Sequence, residues 1–332
     1  MFATLLLDVE DIIAPEADDA ARDVANLLSE EGLRATFCVV GERARQWAHR
    51  KRTDVVEALG RHDIGYHTDL HSVPPTVSQY LAPLGWHEGI EEVLRRERDG
   101  VDAVSQLFGD LPSCHGGPGN TWGPQMNAAM ALLGVPACVY AHSRVPGGDV
   151  HLYCGSIAYP GGTYLGDGQY HLPDQREACT EAALRSLAGW SASGVQWAEI
   201  FTGHPTRVRH EAFWDAANFS GGANPPRDQW QPAPLKSGAD YIDALAGMRC
   251  AVRAVRDQSG VTLQTIREMN ARFAAATPET LTPDELQVAA AELDANLAGM
   301  AGWIIVPPDL DLTRLRAVAR EQVGSLRRLR LA

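Results

Sequence analysis

Two histidines four residues apart stand in the stretch Ile64-Gly65-Tyr66-His67-Thr68-Asp69-Leu70-His71-Ser72. On a turn of helix, positions i and i+4 share a face, so this spacing predicts two imidazoles aimed at one point. Two imidazole nitrogens and one carboxylate make a common set for a catalytic divalent metal with an open coordination position. The plainer reading is a pair of polar residues on a solvated first turn, because eleven histidines in 332 residues fall at this spacing by chance. Carboxylates come early in the chain: Asp8, Glu10 and Asp11 follow the apolar run Ala3–Leu7. If the backbone is still extended there, alternation puts Asp8 and Glu10 on one side and Asp11 on the other. Far downstream, His204-Pro205 ends another apolar run, where it could serve chemistry or simply make a turn.

The elements that would position these groups alternate from the first residues. Ala3–Leu7 reads as a buried strand, Pro15 to Glu31 as a helix with acids in its first turn, and Arg34–Val40 as the next strand. Glu42–Trp47 begins a further helix and Val55–Gly60 a further turn. Strand and helix in alternation predict a parallel sheet or barrel, with its chemistry at the carboxyl ends of the strands. Trp86–Phe108 reads as one or two helices, Leu111–Gly123 as a turn-rich loop, and Gln125–Leu133 as a helix before a strand at Ala137–Tyr140. Val145 to Gly168 reads as irregular loops with short strands. Glu177–Ala188 reads as a helix that Gly189 is placed to end, and Gln196–Thr202 as a late strand. His210 to Pro234 is a loop long enough to line or cover a site. Asp240–Asp257 reads as a helix and Val261–Ile266 as a strand or edge segment. From about residue 275 the character changes, and Thr282-Pro283-Asp284-Glu285 has the capping signature of a helix start.

Composition narrows the field. The chain is 45% hydrophobic and 21% charged, with a net charge of −13. That is globular material, and its acidity argues against nucleic acid or a membrane surface as a partner. No apolar run nears the roughly 20 residues of a membrane span. The N-terminus has no basic region and too short an apolar run for a signal peptide, so a cytoplasmic location is expected. Six cysteines without C-x-x-C spacing read as free, mostly buried thiols. The last twenty residues hold six arginines and one glutamate, a local charge of +5. They read as a solvated helix face or a contact within a homo-oligomer.

Leu7-Asp8-Val9-Glu10, Ala35-Thr36-Phe37-Cys38-Val39-Val40-Gly41 and Ile64–His71, with a late strand ending in His204, together resemble the polysaccharide deacetylase family of metal-dependent amide hydrolases. The resemblance covers roughly residues 3 to 270. It implies a distorted (β/α) barrel of about seven strands. It also implies Asp8 as the base that takes a proton from the attacking water, His67 and His71 as metal ligands, and His204 as the acid that protonates the leaving amine. Glu10 is favoured as the carboxylate ligand, with Asp11 its rival. The chain departs from the family in two places. The loop Cys114-His115-Gly116-Gly117-Pro118-Gly119-Asn120-Thr121-Trp122 lacks the arginine that orients the base, and His115 is a candidate to replace it, line the substrate site or add a ligand. The Asp-x-x-x-Trp motif that partners the acid is not evident.

The expectation is therefore an α/β fold: a (β/α) barrel over 1–274 and a helical C-terminal extension over 275–332. The function expected is hydrolysis of a C–N bond in an N-acyl amino sugar or small amide, with a divalent metal: Zn²⁺ by default, or Ni²⁺, Co²⁺ or Mn²⁺. Trp122 and Trp214 read as core or lid packing more than as substrate platforms. Asp215 and Asn218 read as loop-stabilising, and His62 as an outer turn residue. Two other readings stand beside this one. One is a catalytically inactive barrel that binds a ligand or partner; the other is a hydrolase of cyclic amides or ureides, as in allantoinase-like relatives.

Overall fold

Residues 2–9 are apolar on both faces, as a strand covered on both sides must be. In the computed structural model, which describes residues 1–302 and 305–331, they form β1 (Phe2–Val9) at the centre of the main sheet. There follow α1 (Glu16–Glu30), β2 (Thr36–Val39), α2 (Gly41–Arg50), α3 (Thr53–Leu59) and β3 (Asp63–Tyr66). Next come α4 (Val77–Leu81), α5 (Trp86–Phe108), α6 (Pro124–Leu132) and β4 (Ala137–Ala141). A hairpin of β5 (His151–Tyr153) and β6 (Ser156–Pro160) runs on into β7 (Thr163–Tyr164). Then come α7 (Pro173–Ala192), β8 (Trp197–Gly203), α8 (Pro205–Arg209), α9 (Trp214–Phe219), α10 (Gly238–Arg256), β9 (Thr262–Leu263) and α11 (Ile266–Phe273). The chain continues through β10 (Glu279–Thr280), α12 (Pro283–Ala298), α13 (Thr313–Glu321) and β11 (Arg327–Arg328).

Parallel pairing runs β7-β8-β1-β2-β3. Residues 113–116 extend it: Tyr66 donates to Cys114 O, and His115 donates to Ala137 O on β4. β4 pairs in parallel with β6, and β6 leads through Gly161-Gly162 into β7, which returns to β8. Counting β6 and β7 as one stave, the ring has seven: β1, β2, β3, 113–116, β4, β6/β7 and β8. This is the distorted (β/α) barrel expected. A second, antiparallel set, β10-β11-β5-β6, joins the C-terminal segment to its flank.

After residue 275 the described residues form α12 and α13 and the two short strands β10 and β11, joined by turns and loops. Ala289, Leu293 and Leu297 of α12 share the apolar cluster that contains Leu5 and Leu7 of β1. The basic residues near the chain end are engaged within the protein. Arg316 and Arg320 pair with Asp294 at 2.5 and 2.7 Å, and Arg328 with Glu285 at 2.7 Å and Asp149 at 3.1 Å.

Other expectations need correction. Gly189 does not end α7, which runs on to Ala192; Gly194, at φ +83°, makes the left-handed exit. His62 is buried and bonded to Ala25 O at 2.8 Å, not an outer turn residue. The segment 53–59 is a helix, where only a turn was expected.

Side-chain parity sets what the barrel encloses. Ala3, Leu5, Leu7 and Val9 face the helical layer, whereas Leu6 joins Cys38, Cys114, Val139, Tyr159 and Trp197 inside. A period of two therefore aims Thr4, Leu6 and Asp8 inward; Trp197 Nε1 donates to Thr4 Oγ1 at 3.0 Å. On β8, Trp197, Glu199 and Phe201 share the inward parity. His204 would then face out, but the register slips between Leu6↔Phe201 and Leu7↔Gly203. This bulge, with Gly203 at φ +103°, turns His204 into the barrel mouth.

Two substitutions test this frame. Asp18 and Arg43 are both fully buried and 2.7 Å apart, and Asp18 also accepts from Trp47 Nε1 at 2.8 Å. Asp18→Ala would leave a buried guanidinium without its partner, so urea unfolding should show a loss of about 3–5 kcal/mol; a loss under about 1 kcal/mol would contradict the pair's structural role. A Cβ on Gly203 would meet Gly166 O at 2.7 Å, in a backbone region that suits glycine. Gly203→Ala should lower stability by about 1–3 kcal/mol and shift the imidazole NMR signals of His204. Unmoved His204 signals would show that the bulge does not aim the ring.

Candidate active site

Asp8 arrives on the inward face of β1, and Glu10 two residues later keeps that side. His67 follows β3 with the same inward parity as Gly65, where a Cβ would sit between Cys114 Sγ and Cys38 Sγ at 2.8 and 3.0 Å. The His67–His71 segment is not helical. It is a loop with Thr68 at φ +61° and His71 at φ +55°, left-handed conformations that non-glycine residues rarely hold without a cost of about 1–3 kcal/mol each. Backbone bonds hold the loop: Gly41 donates to Thr68 O at 3.0 Å and Glu42 to Asp69 O at 2.9 Å. Glu97 accepts from Asp69 N at 2.8 Å and Tyr66 Oη at 2.7 Å. Burial raises the Glu97 carboxyl to about 7.

The result is one point of convergence. Glu10, His67 and His71 each offer a ligand atom, and the three atoms lie within 4.8 Å of one another. All three side chains are buried. His71 Nε2 is 2.9 Å from Glu10 Oε2. Glu10 Oε1, His67 Nδ1 and His71 Nε2 are buried without a hydrogen-bond partner. Orphaned lone pairs of this kind are expensive unless something fills them, and two imidazoles with a carboxylate suit a divalent cation. His71 Nδ1 is held by Ser72 Oγ at 2.8 Å, with Asp215 Oδ2 3.9 Å away.

The electrostatics follow from crowding. Burial would raise the Glu10 carboxyl, but His204 and His71 outweigh it and hold it down at about 2. Burial lowers His67 to about 4. His71 is raised because Glu10 beside it overcomes burial. His204 is pushed up to about 10, against burial, by Glu10 and Asp167.

A carboxylate and an imidazole flank the point. Asp8 Oδ2 is 3.7 Å from His67 Nε2 and 3.8 Å from His204 Nε2. Its other oxygen, Oδ1, accepts from Tyr140 Oη at 2.8 Å. Tyr140 is a further left-handed residue, at φ +56°. His204 Nε2 is 3.4 Å from Glu10 Oε2, while its Nδ1 lies 3.0 Å from Asp167 Oδ2. The backbone N–H of His204 donates to Asp167 Oδ1 at 3.1 Å.

The structure thus brings together Asp8, Glu10, His67, His71 and His204. Asp11 turns away: its Oδ1 accepts from Ile13 N and Ala14 N at 2.8 and 3.0 Å, and Thr206 Oγ1 donates to its Oδ2 at 3.2 Å. His115 is a buried bridge between β3 and β4; neither ring nitrogen has a partner, and Asp8 is anchored by Tyr140 instead. Trp122 packs on His142 and Tyr153 and donates to Asn127, away from the cluster. Trp214 is fully buried, with its ring 5.7 Å from that of His71. The long loop also supplies Phe213, whose ring lies edge-on to His204 at 4.8 Å.

Sequence reasoning missed Tyr140 and Asp167. Asp167 lies in Gly166-Asp167-Gly168, a tight acidic turn whose signal was visible but unassigned. Tyr140 ends an apolar strand and had no signal of its own.

Two cavities meet at His204 and Gly119. The smaller, about 140 Å³, is lined by Glu10, His71, Phe213 and Asp215. The larger, about 730 Å³, opens beside Asp8 between Tyr140, Glu199, Phe201 and α12. No helix among the described residues is long and apolar enough to cross a membrane.

The chain matches no protein-family model and no curated protein. Among solved structures it is similar to one from Mycobacterium smegmatis that carries the provisional name polysaccharide deacetylase. The identity is 15% and the TM-score 0.53, over 85% of this chain and 93% of that one. It is also similar to the 4-alpha-glucanotransferase of Thermococcus litoralis, at 11% identity and a TM-score of 0.52, over 82% of this chain and 40% of that one. These are likenesses of fold: the chain is a distorted (β/α) barrel of the kind found in the Mycobacterium smegmatis protein.

Proposed function

We propose that this chain is a divergent polysaccharide-deacetylase-type hydrolase that breaks the C–N bond of an amide, with a divalent metal held by Glu10, His67 and His71. The observation that carries the reading is the buried convergence of those three side chains, with Asp8 and His204 on its flank. The shared fold supports it. Zinc is the default for this donor set, and nickel, cobalt and manganese accept the same ligands. The cation would polarise the acyl carbonyl and acidify the attacking water.

The chain's own residues move the protons. Asp8 takes one from the attacking water through Oδ2, because Tyr140 occupies Oδ1. Tyr140 thereby does the orienting for which the sequence has no arginine. Asp167 on Nδ1 favours the protonated imidazole of His204, whose Nε2 faces the reacting point. The water oxygen ends on the acyl carbon, the C–N bond breaks, and the amine leaves with the proton from His204. General acid and base catalysis each contribute about 10²–10⁴-fold. The substrate class is an N-acyl amino sugar or another small amide, and a cavity walled by α12 favours a small molecule over a polymer.

Two measurements test this reading. Purified protein should carry or take up one divalent metal, lose it in His67→Ala, and gain about 2.7 kcal/mol in thermal stability at a metal concentration 100 times Kd. No uptake of zinc, nickel, cobalt or manganese after reconstitution would remove the metal from the proposal. On acetylated chito-oligosaccharides and a small-amide panel, Asp8→Asn should abolish turnover. Tyr140→Phe, which removes a hydrogen bond to a charged acceptor worth about 1.5–3 kcal/mol, should lower kcat/KM roughly ten- to a hundredfold. If wild type and Asp8→Asn behave alike on every substrate, the barrel is a binding protein and not a hydrolase.

A further inference from the structure

The larger cavity holds a cation that the proposed hydrolysis does not use. Arg144 follows β4 and lines the same cavity as Asp8, Tyr140 and His204. Its Nη1 is tied to two backbone carbonyls, Ala141 O and Ser143 O, the latter at 3.0 Å. Its Nη2 lies beside Gly161, where even a methyl group would come within 3.4 Å. The guanidinium is therefore fixed in place at the Gly161-Gly162 seam of the barrel. Many other arginines of this chain sit against carboxylates, as Arg52, Arg249 and Arg316 do. Among the described residues none comes within 4.0 Å of Arg144; Glu199 and Glu292 act on it only from farther off. Glu199 is on the cavity wall but not within ion-pair distance, and burial and then the charge of Asp8 push its carboxyl up to about 8. A fixed, partly desolvated guanidinium with a free edge suits a planar anion that accepts two hydrogen bonds.

We infer that the large cavity binds an anionic substrate, a small N-acyl compound whose carboxylate docks on Arg144 while its amide reaches Asp8 and His204. The position of the amide rests on the hydrolase reading above; the anion site itself does not. The reaction class follows: water adds to the acyl carbon, the C–N bond breaks, and the products are a free carboxylic acid and an amino acid. The neighbours Tyr140, His142 and Asn296 add polar groups along the way.

The test separates binding from turnover. Metal-reconstituted Asp8→Asn protein, which should bind without hydrolysing, is titrated calorimetrically with N-acetylglycine, N-acetyl-β-alanine and N-acetyl-γ-aminobutyrate, each against its neutral primary amide. At least one acid should bind tenfold or more tightly than its amide. Adding Arg144→Met should erase that preference without weakening the amide, and Arg144→Lys should keep part of it. Equal binding of acid and amide at every spacer length, or no binding of either, overturns the inference. So does an acid preference that survives Arg144→Met. Absence of turnover by wild-type protein would instead count against the hydrolase reading and leave this comparison intact.

Discussion

Asp8 and Glu10 are buried side by side, and the rest of the site is an answer to that fact. Two carboxylates removed from water repel one another and lose their hydration, a penalty of several kcal/mol per ion unless it is offset. The offset comes from around the barrel: His67 from β3, His71 from the loop beyond it, His204 from β8 and the phenol of Tyr140 from β4. Behind the histidines stand more acids, Asp167 and Asp215. The acids outnumber the imidazoles, Glu10, His67 and His71 each bring a ligand atom to a common point, and each also keeps a buried atom without a partner. A cation there would satisfy both the charge and the lone pairs.

The same constraint explains the unusual backbone. Thr68, His71 and Tyr140 are all left-handed, and all belong to the site or the loop that carries it. None is glycine or asparagine, so the strain has to be held by neighbours such as the bonds from Gly41 and Glu42 to the loop. In the barrel wall, by contrast, β1 and β2 keep regular register over Leu6–Val9. Regular strands bring the side chains to the mouth, and irregular residues aim them.

This division decides what could be read in advance. Alternation is local, so the sequence alone placed Asp8 and Glu10 on one face, and the strand–helix rhythm pointed to a barrel. The spacing of His67 and His71 suggested a helix because four residues fit one turn; the chain instead reverses through two left-handed residues, which spacing does not encode. The bonds from Tyr140 to Asp8 and from Asp167 to His204 span 132 and 37 residues. Such pairs are products of barrel closure and leave no trace in a window of sequence. The missing arginine was legible as an absence. The tyrosine one stave away that bonds to Asp8 was not.

The cavity beside Asp8 has one wall from α12 and the turn after it, at Ala295, Asn296, Gly299 and Met300. The same cavity is lined by Asp8, from β1. Along the polypeptide Asp8 and the α12 wall are about 290 residues apart. The proposed metal ligands and base all lie before residue 72, yet the cavity beside them cannot close until about residue 300 has left the ribosome. A nascent chain could therefore assemble its reactive groups long before it could discriminate what reaches them. α12 is the last wall of that cavity to be made.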